Sequence, residues 1–208
     1  MKAVIFCNGE IEDYSGLCKR CSDSLIICAD GGLRHAKKLG ITPDVIIGDN
    51  DSWQDVYEGA AETFVYPTRK DYTDTQLCID CAIEKGCDKI ELFGGMGGRH
   101  DHEYSHYCLM AYALSRGVEL IMINECNLIF MKDKSFTLKK CGYKYVSFFP
   151  FGGDVEGFSV DGLEYTAENM RLECGLVQAT SNEFSDSEEA NISFKSGRLL
   201  VMLCNDKK

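Results

Sequence analysis

Aspartates recur in this chain at short, fixed spacings. In Gly48-Asp49-Asn50-Asp51-Ser52, two carboxylates stand two residues apart just after an apolar, β-branched run. On an extended chain, Asp49 and Asp51 point to one side and Asn50 to the other, so both can face one divalent cation. A solvated Asp/Asn/Gly turn has the same composition, so two readings stand. A second acidic group sits in Pro67-Thr68-Arg69-Lys70-Asp71-Tyr72-Thr73-Asp74-Thr75-Gln76. Thr73 with Gln76 three residues later is a capping-box pattern and predicts a helix starting near Asp74. Asp71 and Asp74 then flank a helix N-terminus, where a carboxylate is favoured by the dipole alone. Capping explains Thr73 but not Lys70-Asp71.

Glycines mark two further places. Ala29-Asp30-Gly31-Gly32 follows an apolar run and precedes a helical pattern, so a ligand can approach backbone N–H groups there. An ordinary turn is the other reading. In Gly94-Gly95-Met96-Gly97-Gly98-Arg99-His100-Asp101-His102, four glycines in five residues make a loop of accessible amides. Arg99 can bind phosphate there and Asp101 a metal. A competing motif overlaps this loop: His102-Glu103-Tyr104-Ser105-His106 has the H-E-x-x-H spacing of zinc peptidases. It begins at a helix start, straight after the glycines, and the other histidines are only His35 and His100. A zinc-dependent hydrolase is therefore the alternative activity, and a non-catalytic nucleotide-binding regulator is a third class.

These residues need elements to hold them. Up to residue 124, short apolar runs (Ala3–Cys7, Leu25–Cys28, Val45–Ile47, Thr63–Tyr66, Ile90–Phe93, Leu120–Ile123) predict buried strands. Helical patterns lie between several of them: Leu33–Leu39 stopped by Gly40, Asp74–Lys85 by Gly86, and Glu103–Arg116 by Gly117. The alternation predicts an α/β domain with a mainly parallel sheet over residues 1–124. The acidic and glycine-rich groups follow strands, at the ends where such sheets bind ligands. Over 125–208 the helical period disappears. Asn127–Met131, Ser135–Lys139, Tyr143–Phe149, Ala190–Phe194 and Leu199–Leu203 read as strands of a small all-β domain. Lys195-Ser196-Gly197-Arg198 reads as a tight hairpin turn between the last two.

Composition narrows the function. With 33 acids against 22 bases the net charge is −11, which repels phosphate backbones and argues against nucleic-acid binding. A phosphorylated small molecule remains compatible if a divalent cation mediates. No apolar run reaches the ~18 residues of a membrane span, and Met1–Phe6 reads as a first strand rather than a signal peptide. The expectation is a soluble, cytoplasmic protein without membrane partners. Of twelve cysteines, Cys7, Cys28, Cys78, Cys81, Cys108 and Cys204 fall in apolar runs, where a thiol packs as a small hydrophobe. Reduced thiols are expected throughout.

Taken in order, the motifs resemble the thiamine pyrophosphokinase (thiamin diphosphokinase) family. Its bacterial members carry A-D-G-G, G-D-F-D-S, K-D-x-T-D, G-G-R-x-D-H and a late S-N-E. Here these stand as Asp30–Gly32, Gly48–Ser52, Lys70–Asp74, Gly97–His102 and Ser181–Glu183. Asn50 replaces the usual Phe, and His100 stands where Leu is common. The resemblance implies an α/β catalytic domain, a β-sandwich thiamine-binding domain and a homodimer. It also implies transfer of pyrophosphate from ATP to thiamine, giving thiamine diphosphate and AMP with Mg²⁺. On that reading Asp49, Asp51, Asp71 and Asp74 hold the metal. Lys70 and Arg99 offset charge on the transferred group, and Asp71 or Asp74 supplies the base. Asp30, Gly31, Gly32, Gly97, Gly98, Arg99, Asp101 and His102 bind the nucleotide, while Ser181 and Asn182 contact thiamine.

Overall fold

The structure, a computed structural model, describes residues 1–49, 62–67 and 71–207. Asn50, Asp51, Ser52 and Lys70 of the expected metal and phosphate motifs lie outside the described residues, whereas Asp49, Asp71 and Asp74 lie within them. The chain divides into two compact units, Met1–Glu125 and Cys126–Lys208.

The first unit alternates as its sequence predicts. Strands β1 (Lys2–Phe6), β2 (Leu25–Ala29), β3 (Val45–Gly48), β4 (Glu62–Val65), β5 (Lys89–Phe93) and β6 (Glu119–Ile123) all pair in parallel, in the order β6-β5-β1-β2-β3-β4. Helices α1 (Leu17–Cys21), α2 (Leu33–Leu39), α3 (Asp74–Glu84) and α4 (His100–Ser115) connect them. Phe6 meets His35 of α2, whereas the next residue, Cys7, meets Thr75 of α3, so helices cover both faces of the sheet. That double cover explains why β1, β2, β3 and β6 read as apolar runs, and β5 as one broken only by Glu91, which is buried and paired with Lys2 and Arg20. Thr73 caps α3 as expected, its Oγ1 accepting from Gln76 N at 3.2 Å. Gly40, at φ 66°, ends α2 at the expected residue. Helix α4 starts at His100, three residues before the predicted start, so His102 lies inside its first turn.

The second unit is all β. One sheet runs β12 (Ala179–Glu183), β9 (Tyr145–Pro150), β14 (Leu199–Cys204), β7 (Asn127–Lys132). The other runs β11 (Ala167–Leu172), β10 (Val155–Asp161), β13 (Glu189–Ser193), β8 (Phe136–Lys139), and both are antiparallel. Phe148 of β9 packs on Phe158 of β10 with ring centroids 5.3 Å apart, and Phe130 meets Phe136 edge-on, so the two inner faces form a sandwich core. The hairpin expected at residues 195–198 is not one: β13 and β14 belong to different sheets. The segment straps across to Glu156, with Lys195 N donating to Glu156 O at 2.8 Å and Glu156 N to Ser196 O at 3.1 Å. Gly197 leaves no room for a Cβ, which would lie 2.5 Å from Asp154 O.

Candidate active site

In the first unit the chain runs from β1 to β2 on one side and places β5 on the other, so the sheet reverses its order between β1 and β5. The crevice beyond their carboxyl ends is the natural ligand site of such a sheet. A cavity of about 410 Å³ opens there. Its walls come from four strand ends: Cys7-Asn8-Gly9 after β1, Asp30 after β2, Asp49 after β3, and Gly94, Gly95, Met96 and Gly98 after β5. The N-terminal turns of α3 and α4 add Asp74, Thr75, Arg99, His102, Glu103 and His106.

The structure thus brings together Asp30, Asp49, Asp74, Gly98, Arg99 and His102 of the residues expected from sequence. Asp71, Gly97 and Asp101 stand beside lining residues without lining the cavity themselves. Asp30 opens a 3-10 turn at φ 48°, and its Oδ1 is buried with no hydrogen-bond partner among the described residues. Gly31 and Gly32 serve a steric need rather than facing the cavity. A Cβ on Gly31 would lie 2.3 Å from Asn8 Oδ1, and one on Gly32 only 2.0 Å from Phe6 O. Gly98 is the opposite case: a Cβ there would meet nothing within 4 Å among the described residues, so its bareness answers to no neighbour among them.

Arg99 and Asp101 are engaged with each other. Arg99 Nε donates to Asp101 Oδ1 at 3.1 Å and Nη2 to Oδ2 at 2.5 Å, and the carboxylate also accepts from His102 N. The Arg99 guanidinium holds the Asp101 carboxyl below the usual carboxylate range. The pair is 74% and 62% exposed, so it binds weakly and can exchange partners at small cost. The amide of Gly97 donates to Glu103 Oε2 at 3.4 Å.

Ser181 and Asn182 lie in the second unit, on β12. Ser181 is exposed, at φ 54° in an irregular stretch of the β12–β9 ladder, and its N–H donates to Ser147 Oγ. Asn182 is buried and its amide is largely occupied. Oδ1 accepts from Tyr165 N and Glu183 N, each at 3.0 Å, and Nδ2 donates to Tyr165 O at 2.7 Å. Three of its four hydrogen-bonding positions are used by backbone, which leaves one N–H for a ligand.

His106, the second histidine of the H-E-x-x-H spacing, sits on the buried face of α4. It is buried, and its Nδ1 donates to Gly95 O at 2.8 Å. His102, the other motif histidine, is exposed. Cys108, read as buried, is also exposed on α4; Cys7, Cys28 and Cys78 are buried, and all twelve thiols are free. Sequence reading missed Cys7-Asn8-Gly9, Tyr72 and Thr75 as lining residues. Their shared signal is position at a strand end or helix start, and for Asn8-Gly9 it becomes informative only once β1 is known to flank the crevice.

A parallel α/β unit with carboxylates and glycines around its switch-point crevice has the architecture in which open α/β sheets bind their ligands. Comparison with known proteins is narrower. Residues 19–122 match the thiamin pyrophosphokinase catalytic domain, and residues 135–199 match the thiamin pyrophosphokinase vitamin B1 binding domain. The thiamine pyrophosphokinase of Bacillus subtilis is 30% identical over 190 residues, 88% of each chain. A crystal structure of thiamine pyrophosphokinase from the same organism superposes with a TM-score of 0.89 at 26% identity, covering all of both chains. One from Geobacillus thermodenitrificans gives 0.88 at 25% identity, covering 100% of this chain and 99% of the other. The chain belongs to the thiamin pyrophosphokinase family, an enzyme family of the transferase class. The zinc-hydrolase alternative receives no support from these relatives.

Proposed function

We propose that the protein is a thiamine diphosphokinase acting on ATP and thiamine, with the nucleotide end of the reaction in the β1/β5 crevice. The observation that supports the reading is that one cavity is lined by members of each acidic and glycine motif of the first unit: Asp30, Asp49, Asp74, and Gly98 with Arg99. The oxygen of the thiamine hydroxyethyl group forms a bond to the β-phosphorus of ATP. The bond from that phosphorus to the α–β bridging oxygen breaks, and AMP departs with the oxygen. The hydroxyl proton passes to a carboxylate, for which Asp71 and Asp74 are both placed in the motif. Arg99 leaves Asp101 to meet the transferred group, and the backbone around Gly98 lies against it. Lys70 and Asp51 take the further phosphate and metal roles that the motif implies.

The residues fit Mg²⁺. The donors are hard carboxylate oxygens, and Asp30 supplies a buried oxygen with no hydrogen-bond partner among the described residues. Among those residues no three acidic, His or Cys side chains converge on one point. Mg²⁺ bound to a nucleotide needs only one or two protein carboxylates, because phosphate oxygens and water complete its shell. Asp49 and Asp74 are the lining acids to hold it, and the ion supplies charge stabilisation for the phosphoryl oxygens. In the second unit, the exposed Ser181 hydroxyl and the remaining Asn182 N–H are proposed to meet thiamine. The cationic thiazolium suits an acidic protein of net charge −11, and the same charge disfavours nucleic acid. No helix among the described residues is long and apolar enough to cross a membrane. A cytoplasmic homodimer completes the proposal.

The test is incubation with ATP, Mg²⁺ and thiamine. Equal amounts of AMP and thiamine diphosphate are expected, and ADP with thiamine monophosphate would overturn the assignment. In the same assay Asp49→Asn is expected to lower turnover by ~100-fold with the melting temperature little changed. Normal turnover of that variant at saturating Mg²⁺ would remove Asp49 from the metal site.

A further inference from the structure

Two buried histidines, neither assigned a role in the chemistry above, make the same kind of contact on opposite sides of the crevice. His35 of α2 is fully buried, and its Nε2 donates to Gly9 O at 2.9 Å. His106 of α4 is 5% exposed, and its Nδ1 donates to Gly95 O at 2.8 Å. Gly9 and Gly95 lie in the two loops that leave β1 and β5, the strands flanking the switch point. A carbonyl only accepts, so the proton position on each ring is fixed: Nε2–H at His35 and Nδ1–H at His106. At His35 the second nitrogen is taken as well, by Tyr14 Oη at 2.6 Å.

The surrounding contacts make each imidazole the end of a brace. Arg34, the neighbour of His35, donates to Asn8 Oδ1, to Asn8 O at 2.6 Å and to Gly9 O at 3.1 Å. The two loops are then tied together, with Cys7 N donating to Phe93 O at 2.8 Å and Gly9 N to Gly94 O at 2.9 Å. On the β5 side, Gly95 is pressed so closely that a Cβ would lie 2.2 Å from Leu92 Cδ2 and 3.2 Å from His106 Nδ1. A trans peptide sets its N–H opposite its C=O, so anchoring the Gly95 carbonyl also fixes the direction of the Met96 amide. Anchoring the Gly9 carbonyl does the same for the Glu10 amide.

We propose that His35 and His106 are paired positioning residues, whose single N–H donors to Gly9 and Gly95 hold the two crevice loops in the geometry that receives the phosphate chain. The proposal rests on the function proposed above for what enters the crevice, but the brace itself is a property of the free protein. It also gives a use to the second histidine of the H-E-x-x-H spacing that involves no zinc.

The geometry distinguishes the two sites chemically. A Gln amide nitrogen can stand in for an imidazole Nε2, and an Asn amide nitrogen for Nδ1. His35→Gln and His106→Asn are therefore expected to keep kcat/KM for ATP within about 3-fold of wild type. His35→Leu and His106→Leu, which fill the space without a donor, are expected to lose about 10- to 100-fold, the scale on which misplacing a binding group by ~1 Å is felt. Amide hydrogen exchange without substrate supplies the second readout. Exchange at Gly9–Ile11 in the His35→Leu variant, and at Met96–Gly98 in the His106→Leu variant, is expected to rise at least ~10-fold above that of the amide-bearing variant, and the rest of the sheet to stay protected. Tyr14→Phe, which removes only the hydroxyl locking His35, is expected to move the Gly9–Ile11 exchange in the same direction, and it serves if a Leu variant does not fold. Equal exchange and equal kcat/KM in the Leu and amide variants would overturn the brace, as would a rise spread evenly over the whole unit. If wild type forms no AMP, the functional reading fails, and the exchange comparison still decides the brace.

Discussion

Burial governs the titration of the two bracing histidines. It pushes the pKa of His35 and of His106 below the usual imidazole value, outweighing the opposing hydrogen bonds to Gly9 and Gly95. Both are therefore held neutral in the folded chain, while the unfolded chain takes up protons near pH ~6.5. The sign follows from proton counting: below that pH the unfolded state binds more protons, so stability is complete above ~6.5 and declines as the pH falls. The decline ends once the folded histidines protonate too. Carboxylates such as Asp88 and Asp101, whose pKa values are lowered by the N-terminal ammonium and by Arg99, act in a more acidic range. Melting temperatures between pH 7.5 and 5.5 are expected to fall for wild type and to fall less for a His35→Gln, His106→Asn double variant. An equal fall in both proteins would place the effect elsewhere. The Cys7 thiol beside them is pushed up to about 12 by burial, against a smaller lowering by its contact with Thr75, so it stays protonated and inert at neutral pH. This residue-scale layer was only partly legible in the sequence. Asp30, Asp49, Asp74 and Arg99 stand out by type and spacing, whereas nothing local distinguishes His35 from any histidine on a helix.

Among the elements, the glycine-rich segments separate by what surrounds them. The Asp30–Gly32 turn rides directly on the end of β1, and a Cβ at residue 32 would stand 2.0 Å from a backbone oxygen that cannot move aside. The loop after β5 leaves open space at Gly98. Gly32→Ala is therefore expected to lower the melting temperature markedly. Gly98→Ala is expected to leave it unchanged while reducing kcat/KM for ATP by at least ~10-fold, because the methyl group takes space meant for ligand. Full activity in Gly98→Ala would show that the space there is not used. The sequence marked both segments as glycine-rich strand ends but not which was packed and which was open. The same boundary holds for the strands. Those of the first unit were readable because most are covered on both faces and their runs are largely apolar; β4, exposed throughout, shows only as a short β-branched and aromatic run. Three strands of the second unit went unseen. β12 is Ala-Thr-Ser-Asn-Glu, with no apolar alternation, and is recruited by its backbone pairing to β9. β10 and β11 are interrupted at Gly157 and Asn169, both at positive φ, where the ladder shifts register. A five-residue helix such as α1 is too short to display a period.

At the scale of the whole molecule, five weak motifs became specific because their order along the chain matched one family, and that order runs through both units. Strand order could not be read the same way, since the reversal at β1/β5 depends on which side of β1 the chain returns to. Assembly is the remaining whole-molecule property, and the second unit supplies the argument. A β unit of about 80 residues buries proportionately little surface when alone. This one also exposes large apolar side chains: Tyr165 at 75%, and the adjacent Leu176 at 52% and Val177 at 73%. Leu176 and Val177 lead into β12, which carries Ser181, and Asn182 of the same strand holds the backbone of Tyr165 at both its N–H and its C=O. Covering these side chains by a second copy of the chain would remove the apolar surface and enclose the strand proposed to meet thiamine. Sedimentation of the intact protein is therefore expected to give twice the 23.2 kDa chain mass. Val177→Asp, which sets a charge in the exposed apolar stretch, is expected to shift the protein toward monomer and to raise KM for thiamine more than KM for ATP. A monomer with wild-type KM for both substrates would separate the thiamine site from any contact between copies.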